Sequence, residues 1–215
     1  MIDPTKKRVF IWVPGTGGHE VHPAFEAAVK LICQDDAQII VVEYSAEWDM
    51  SDSVPEGVNA LKKVLKTVKA EYDPEFHNIY LAGSSQGSWV ITEVTSDKEL
   101  MEPVSKTVMF GHPGVAQNHD HDYQAADTVW EINHPDDVVT FGWSEDRATM
   151  VEHFSKAQKL HPKSIAYIIG LALRHPLRLG RFVYVIAAQA GIVRWNSSPH
   201  DYSNQMPMAT YWMIH

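Results

Sequence analysis

Five residues, Gly83-Ser84-Ser85-Gln86-Gly87, restrict the folds open to this chain more than any other stretch. They spell G-x-S-x-G and lie between two contrasting segments. Asn78-Ile79-Tyr80-Leu81-Ala82 is a short apolar run of the kind that forms a buried strand. Ser88-Trp89-Val90-Ile91-Thr92-Glu93-Val94 can continue as a helix. A strand that turns sharply into a helix at a serine is a nucleophile elbow. Only small residues fit beside the serine in so tight a turn. Its hydroxyl then stands exposed at the carboxyl end of the strand, which makes Ser85 the candidate nucleophile.

The elbow sits within an alternation of strands and helices. Residues 8–13 read as a buried strand that stops at Pro14-Gly15, and residues 38–44 as a second strand. Residues 23–33 have helical apolar spacing. They include Cys33, which is expected to be a buried core thiol and, as the only cysteine of the chain, cannot form an internal disulfide. Residues 55–70 form an amphipathic helix with Pro55 in its first turn. Val58, Leu61, Val64, Leu65 and Val68 make its apolar stripe, and Lys62, Lys63, Lys66 and Lys69 its solvated face. Residues 106–111 and 127–132 are further strands. Near-continuous apolar strands separated by helices predict an α/β fold with a mostly parallel sheet flanked by helices, as in α/β-hydrolases.

After Phe141 the pattern becomes helical, over roughly residues 145–160, 163–174 and 176–192, punctuated by Pro162 and Pro176. Charge changes there too. Residues 144–199 hold eight basic and three acidic side chains, a net of +5 that leaves −14 on the rest of a chain whose total is −9. The expected organisation is a core of residues 1–143 and 196–215 with a helical insertion, a linker or lid, at 144–195. The acidic balance argues against nucleic acid as a partner, because phosphate neutralisation needs clustered Lys and Arg. The N-terminus lacks the apolar core of a signal peptide. The longest near-apolar stretch, Phe182 to Val193, is too short to span a bilayer.

A serine hydroxyl needs a base, usually a histidine held by a carboxylate. In elbow folds the chain order is serine, acid, histidine. The strand ending at Ile132 leads into Asn133-His134-Pro135-Asp136-Asp137, which offers Asp136 and Asp137 as equal candidates, or a solvated Pro-Asp turn. Of twelve histidines, only His200 and His215 follow the helical segment, and His215 is the last residue. His200 is the candidate base. The oxyanion hole takes one amide from Gln86, after the nucleophile. The other comes from the Pro14-Gly15-Thr16-Gly17-Gly18 loop, with Thr16 as candidate and Gly15 and Gly17 as alternatives. That loop lacks the lysine and spacing of a phosphate-binding loop. His119-Asp120-His121-Asp122 reads as a solvated loop rather than a metal site, and His19 and His22 could border the mouth of the active site.

These residues resemble the lysin B family, the mycolylarabinogalactan esterases of phages that infect mycolate-bearing actinobacteria, a family related to the cutinases. Val13-Pro14-Gly15-Thr16-Gly17-Gly18 is similar to the family's first-strand H-G-T-G loop, with proline in place of histidine. Leu81-Ala82-Gly83-Ser84-Ser85-Gln86-Gly87-Ser88 resembles its A-G-Y-S-Q-G-A elbow, with Ser84 in place of tyrosine. Met109-Phe110-Gly111-His112-Pro113 is similar to its W-G-N-P strand end. Aligning the family's G-D pair on Asp136-Asp137 places the acid at Asp137, and Pro199-His200-Asp201-Tyr202 is similar to its Pro-His-x-Tyr stretch.

The resemblance implies a Ser85-His200-Asp137 serine esterase that needs no metal or organic cofactor. It would release mycolic acids from arabinogalactan, its lipid ester substrate. It would be made in the host cytoplasm and act at the cell envelope late in infection, and a monomer is expected. No peptidoglycan-binding extension is recognised. The helical segment, with apolar residues such as Ile168, Ile169 and Leu171, could line a channel for a long acyl chain. Two other readings share the fold: a general cutinase-like lipase or carboxylesterase, and a non-catalytic envelope-binding protein.

Overall fold

A computed structural model describes residues 2–47, 49–71, 73–113, 128–134, 137, 162–174 and 200–215. Five strands form one sheet: β1 Arg8–Val13, β2 Ala37–Val41, β3 Asn78–Ser84, β4 Val104–Phe110 and β5 Val129–Ile132, in the order β2-β1-β3-β4-β5. All four pairings are parallel. The described helices are α1 Pro23–Cys33, α2 Met50–Glu71, α3 Gln86–Thr95, α4 Lys98–Met101, α5 Pro162–Arg174 and α6 Met206–Ile214. Among the described residues no helix is long and apolar enough to cross a membrane.

The period-2 alternation of β1 divides the core in two. Val9, Ile11 and Val13 pack with Leu61, Leu65 and Val68 of α2 and Ile91 of α3. Phe10 and Trp12 face the other way, onto Phe25 and Val29 of α1 and Met206, Ala209 and Met213 of α6. Helices therefore cover both faces, which is why the central strands are apolar on both sides. On the α1 side the aromatic rings order the layer: Trp12 stacks on Phe25 at 4.8 Å and Phe10 on Tyr80 at 4.9 Å between centroids. Cys33 is buried in this layer, and burial raises its thiol pKa above the ordinary value.

Several elements differ from the sequence pattern. β2 ends at Val41 instead of Tyr44, because its partner β1 stops at Val13. One further bond joins Val42 N–H to Trp12 O at 2.9 Å, and Tyr44 then turns inward to donate its hydroxyl to Pro14 O at 2.6 Å. Helix α2 starts at Met50, not Pro55. Ser53 N–H closes its first turn on Asp49 O at 2.9 Å, so Pro55 sits inside the helix, and its missing N–H costs one bond to Ser51. Helix α6 has no counterpart in the sequence pattern, since Met206-Pro207-Met208-Ala209-Thr210-Tyr211-Trp212-Met213-Ile214 is apolar on every face. β4 begins two residues earlier than expected, at Val104. Helix α5 falls where residues 163–174 are expected to be helical. The expected helices at 145–160 and 176–192 and the His119–Asp122 loop lie outside the described residues.

Candidate active site

The elbow is built from β3, α3 and the strands on either side of β3. Ser85 has φ 51° and ψ −119°, a conformation a non-glycine residue holds only under strain. The surroundings enforce it. Ser85 N–H donates to Phe110 O at 2.8 Å on β4, and Ser85 O accepts from Ser88 N–H at 2.9 Å in the first turn of α3. Ser88, fully buried, donates its hydroxyl to Gly83 O at 3.0 Å and Phe110 O at 3.1 Å. The turn is thereby tied across two strands, and Ser85 remains half-exposed on a cavity wall.

The cavity measures about 510 Å³ and brings together residues distant in sequence. Ser85 and Ser84 come from the elbow, Thr16 and His22 from the loop after β1, and His200 and Tyr202 from the segment before α6. Among the described residues the Thr16 amide has no acceptor, whereas Gly17 N–H is taken by Ala46 O at 2.7 Å and Gly18 N–H by Gly15 O at 2.9 Å. Of the loop's candidates this removes Gly17 and leaves Thr16 at the cavity beside Gly15. Gln86 is the first residue of α3, where helix amides have no intrahelical acceptor. Its side chain is buried elsewhere, with Nε2 donating to Glu47 O at 3.0 Å, so only its backbone is placed to act at the elbow.

Asp137 is fully buried and His200 is 6% exposed. The two meet at 2.5 Å between Asp137 Oδ2 and His200 Nδ1, a charge-assisted contact. Asp137 N–H donates to His134 O at 2.9 Å, a tight turn after β5 that directs the carboxylate inward. Asp136 lies outside the described residues. His215 does not enter the cavity: it follows α6 and its ring lies 4.4 Å from that of Tyr211. Gly111, φ 59°, closes the floor beneath the imidazole. A Cβ there would stand 2.7 Å from His200 Cε1 and 2.7 Å from Tyr202 Cε2, so any side chain displaces both rings.

His22 borders the mouth and caps α1, its Nδ1 accepting from Ala24 N–H at 3.2 Å; burial lowers its pKa, favouring the neutral ring this bond requires. His19 lines the same cavity. Two further polar residues, one lining the cavity and one behind it, received no role from the sequence. Tyr202 donates its hydroxyl to Asp137 Oδ2 at 2.6 Å. His112, fully buried, has Nε2 2.8 Å from Thr92 Oγ1 on α3 and Nδ1 3.1 Å from Glu131 Oε2 on β5, which locks the elbow helix to the strand ends. The signal for both lies in their place: His112 follows an apolar strand directly, and Tyr202 stands two residues after the candidate base. Among the described residues no group of three or more His, Cys, Asp or Glu is arranged to hold a metal ion.

A parallel sheet, an elbow serine and a buried histidine–carboxylate pair at the carboxyl ends of the strands define the α/β-hydrolase class of architecture. The Cutinase family model matches residues 13–170, and the chain belongs to the cutinase family. It is a carboxylic ester hydrolase. No curated protein sequence matches it. Among solved structures, lysin B from Mycobacteriophage D29 is similar in fold over 98% of this chain and 100% of that one, with a TM-score of 0.66 at 17% identity. Trichoderma reesei cutinase matches with a TM-score of 0.53 at 19% identity, covering 82% of this chain and 78% of that one. The catalytic core of Trichoderma reesei acetyl xylan esterase has a TM-score of 0.53 at 13% identity, covering 77% and 98%.

Proposed function

We propose that this ester hydrolase is of the lysin B type and cleaves the ester that joins mycolic acids to arabinogalactan. The observation that carries the chemistry is the 2.5 Å Asp137–His200 contact facing a strained Ser85 across one cavity. With Nδ1 held by Asp137, His200 uses Nε2 to take the Ser85 proton. Ser85 Oγ then attacks the ester carbonyl, and the Gln86 and Thr16 amides stabilise the oxyanion. As the tetrahedral intermediate collapses and the acyl carbon–sugar oxygen bond breaks, the protonated imidazole, supported by Asp137, gives its proton to that oxygen, which leaves as the sugar hydroxyl. Water next attacks the acyl-enzyme by the same route in reverse.

The substrate assignment rests on the motif resemblance and on a full-length fold likeness to a phage lysin B. A cavity of about 510 Å³ is within the ordinary range for small ligands. It accommodates the ester and the first part of a chain, so a long acyl chain must continue beyond it. In this reading residues 144–195 form a separate helical insertion that covers the remainder, and the enzyme, a monomer, reaches the envelope from the host cytoplasm at lysis.

The test is mycolic acid release from purified mycobacterial cell wall, run beside hydrolysis of p-nitrophenyl butyrate and laurate. Wild type is expected to release mycolic acids and hydrolyse both esters, and Ser85→Ala to do neither. Cutinase-family membership also supports a second reading, a general lipid esterase. Ser85-dependent ester hydrolysis without mycolic acid release would favour that reading and overturn the first.

A further inference from the structure

Asp137 Oδ2 serves two donors. His200 Nδ1 lies 2.5 Å away and the Tyr202 hydroxyl 2.6 Å away, both on the same oxygen. The tyrosine belongs to a closed ring of hydrogen bonds. His134 N–H donates to the Tyr202 hydroxyl at 2.9 Å, the hydroxyl donates to Asp137, and Asp137 N–H returns to His134 O at 2.9 Å. A hydroxyl that accepts an N–H bond is polarised toward donating its own proton. Tyr202 is 4% exposed and packs against Phe110 and, in edge contact, against His200.

From this geometry we infer that Tyr202 is a positioning residue of the active site: its hydroxyl fixes the Asp137 carboxylate and shares its charge, and so sets the basicity of His200. The inference rests on the Ser85-His200-Asp137 reading above. Burial, with the adjacent Asp137 charge, holds the Tyr202 hydroxyl far above the ordinary phenol range, so it stays a donor at every working pH. A carboxylate already bonded to one donor pairs less strongly with the imidazolium. Removing that donor therefore raises the His200 pKa, and strengthening it lowers the pKa. Among the described residues, the other titratable groups around His200 are Asp201 beside it and His19, Glu20 and His22 on the loop after β1. His134 and Asp137 stand on the turn after β5. Of these groups only His134, through its N–H, and Asp137 are bonded to the Tyr202 hydroxyl, so a change confined to that hydroxyl reaches His200 through Asp137.

The experiment is an NMR titration of His200, assigned by its absence in His200→Gln, in wild type, Tyr202→Phe and protein carrying 3-fluorotyrosine at position 202. The kcat/KM–pH profile on p-nitrophenyl butyrate is measured alongside. In Tyr202→Phe the titration midpoint and the acid limb both move up by about 0.5 pH unit. Its kcat falls about ten-fold as the carboxylate loses its fixed orientation, while KM stays unchanged. The fluorinated ring is isosteric and a stronger donor, so it moves the midpoint down and guards against a Phe variant that fails to fold. A midpoint unchanged in both substituted proteins, with only a lower Tm, would overturn the inference and leave Tyr202 a packing residue. The titration needs no turnover. An inactive wild type would thus sink the esterase reading while the coupling of Tyr202 to His200 is still decided.

Discussion

Replacing Ser85 by alanine is expected to lower kcat on p-nitrophenyl butyrate by about 10⁵-fold with little change in KM. A group that acts only as nucleophile contributes to the transition state and not to ground-state binding. Residual turnover comes from the oxyanion amides and the cavity alone. A second substitution at this position separates chemistry from strain. Ser85 holds φ 51°, which a glycine adopts without a Cβ penalty. Ser85→Gly should abolish activity equally while stabilising the fold by about 1 kcal/mol, read by urea denaturation. Retention of more than a hundredth of wild-type kcat in either variant would remove Ser85 from the nucleophile's role.

The largest expected effect on stability lies two residues further along. Gly87, the second residue of α3, lies against the end of β1, and a Cβ built there would stand 2.1 Å from Val13 O and 2.6 Å from Pro14 O. These are backbone atoms, Val13 being held in the β1–β3 ladder opposite Gly83, so no side-chain rotation relieves the clash. Gly87→Ala must push the helix off the sheet. It is expected to cost about 3 kcal/mol or more and to lower Tm by about 10 °C. Activity falls with it, because the same shift moves the Gln86 amide and Ser85. An alanine variant with wild-type Tm and kcat would show that this close approach does not position the elbow.

The residues that made these positions legible are those whose local sequence dictates their geometry. β1 and β3 are apolar on both faces, which only a covered parallel strand permits, and the glycines bracketing Ser85 spell a turn no larger residue allows. α1 declares itself through Pro23 at its start and apolar spacing to Cys33. Legibility stops where structure depends on distant chain. The start of α2 is set by Asp49 and not by Pro55, since a proline sixth in a helix loses only one bond. α6 has no polar face to reveal its period, although Met206, Ala209, Thr210 and Met213 turn inward together. Between Asp136 and Asp137 the residue pattern offers no distinction, and only the family resemblance favours Asp137. The structure places Asp137 on His200 through a turn closed on His134 O. The Tyr202 hydroxyl reaches a carboxylate 65 positions earlier in the chain, a contact no local pattern encodes.

Whether Ser85 is the nucleophile is tested by labelling the wild-type protein with a fluorophosphonate, followed by intact mass and peptide mapping. One equivalent is expected to bind per chain, on Ser85, and none on Ser85→Ala. Folded wild type that takes up no label, or takes it up at another residue, would contradict that role.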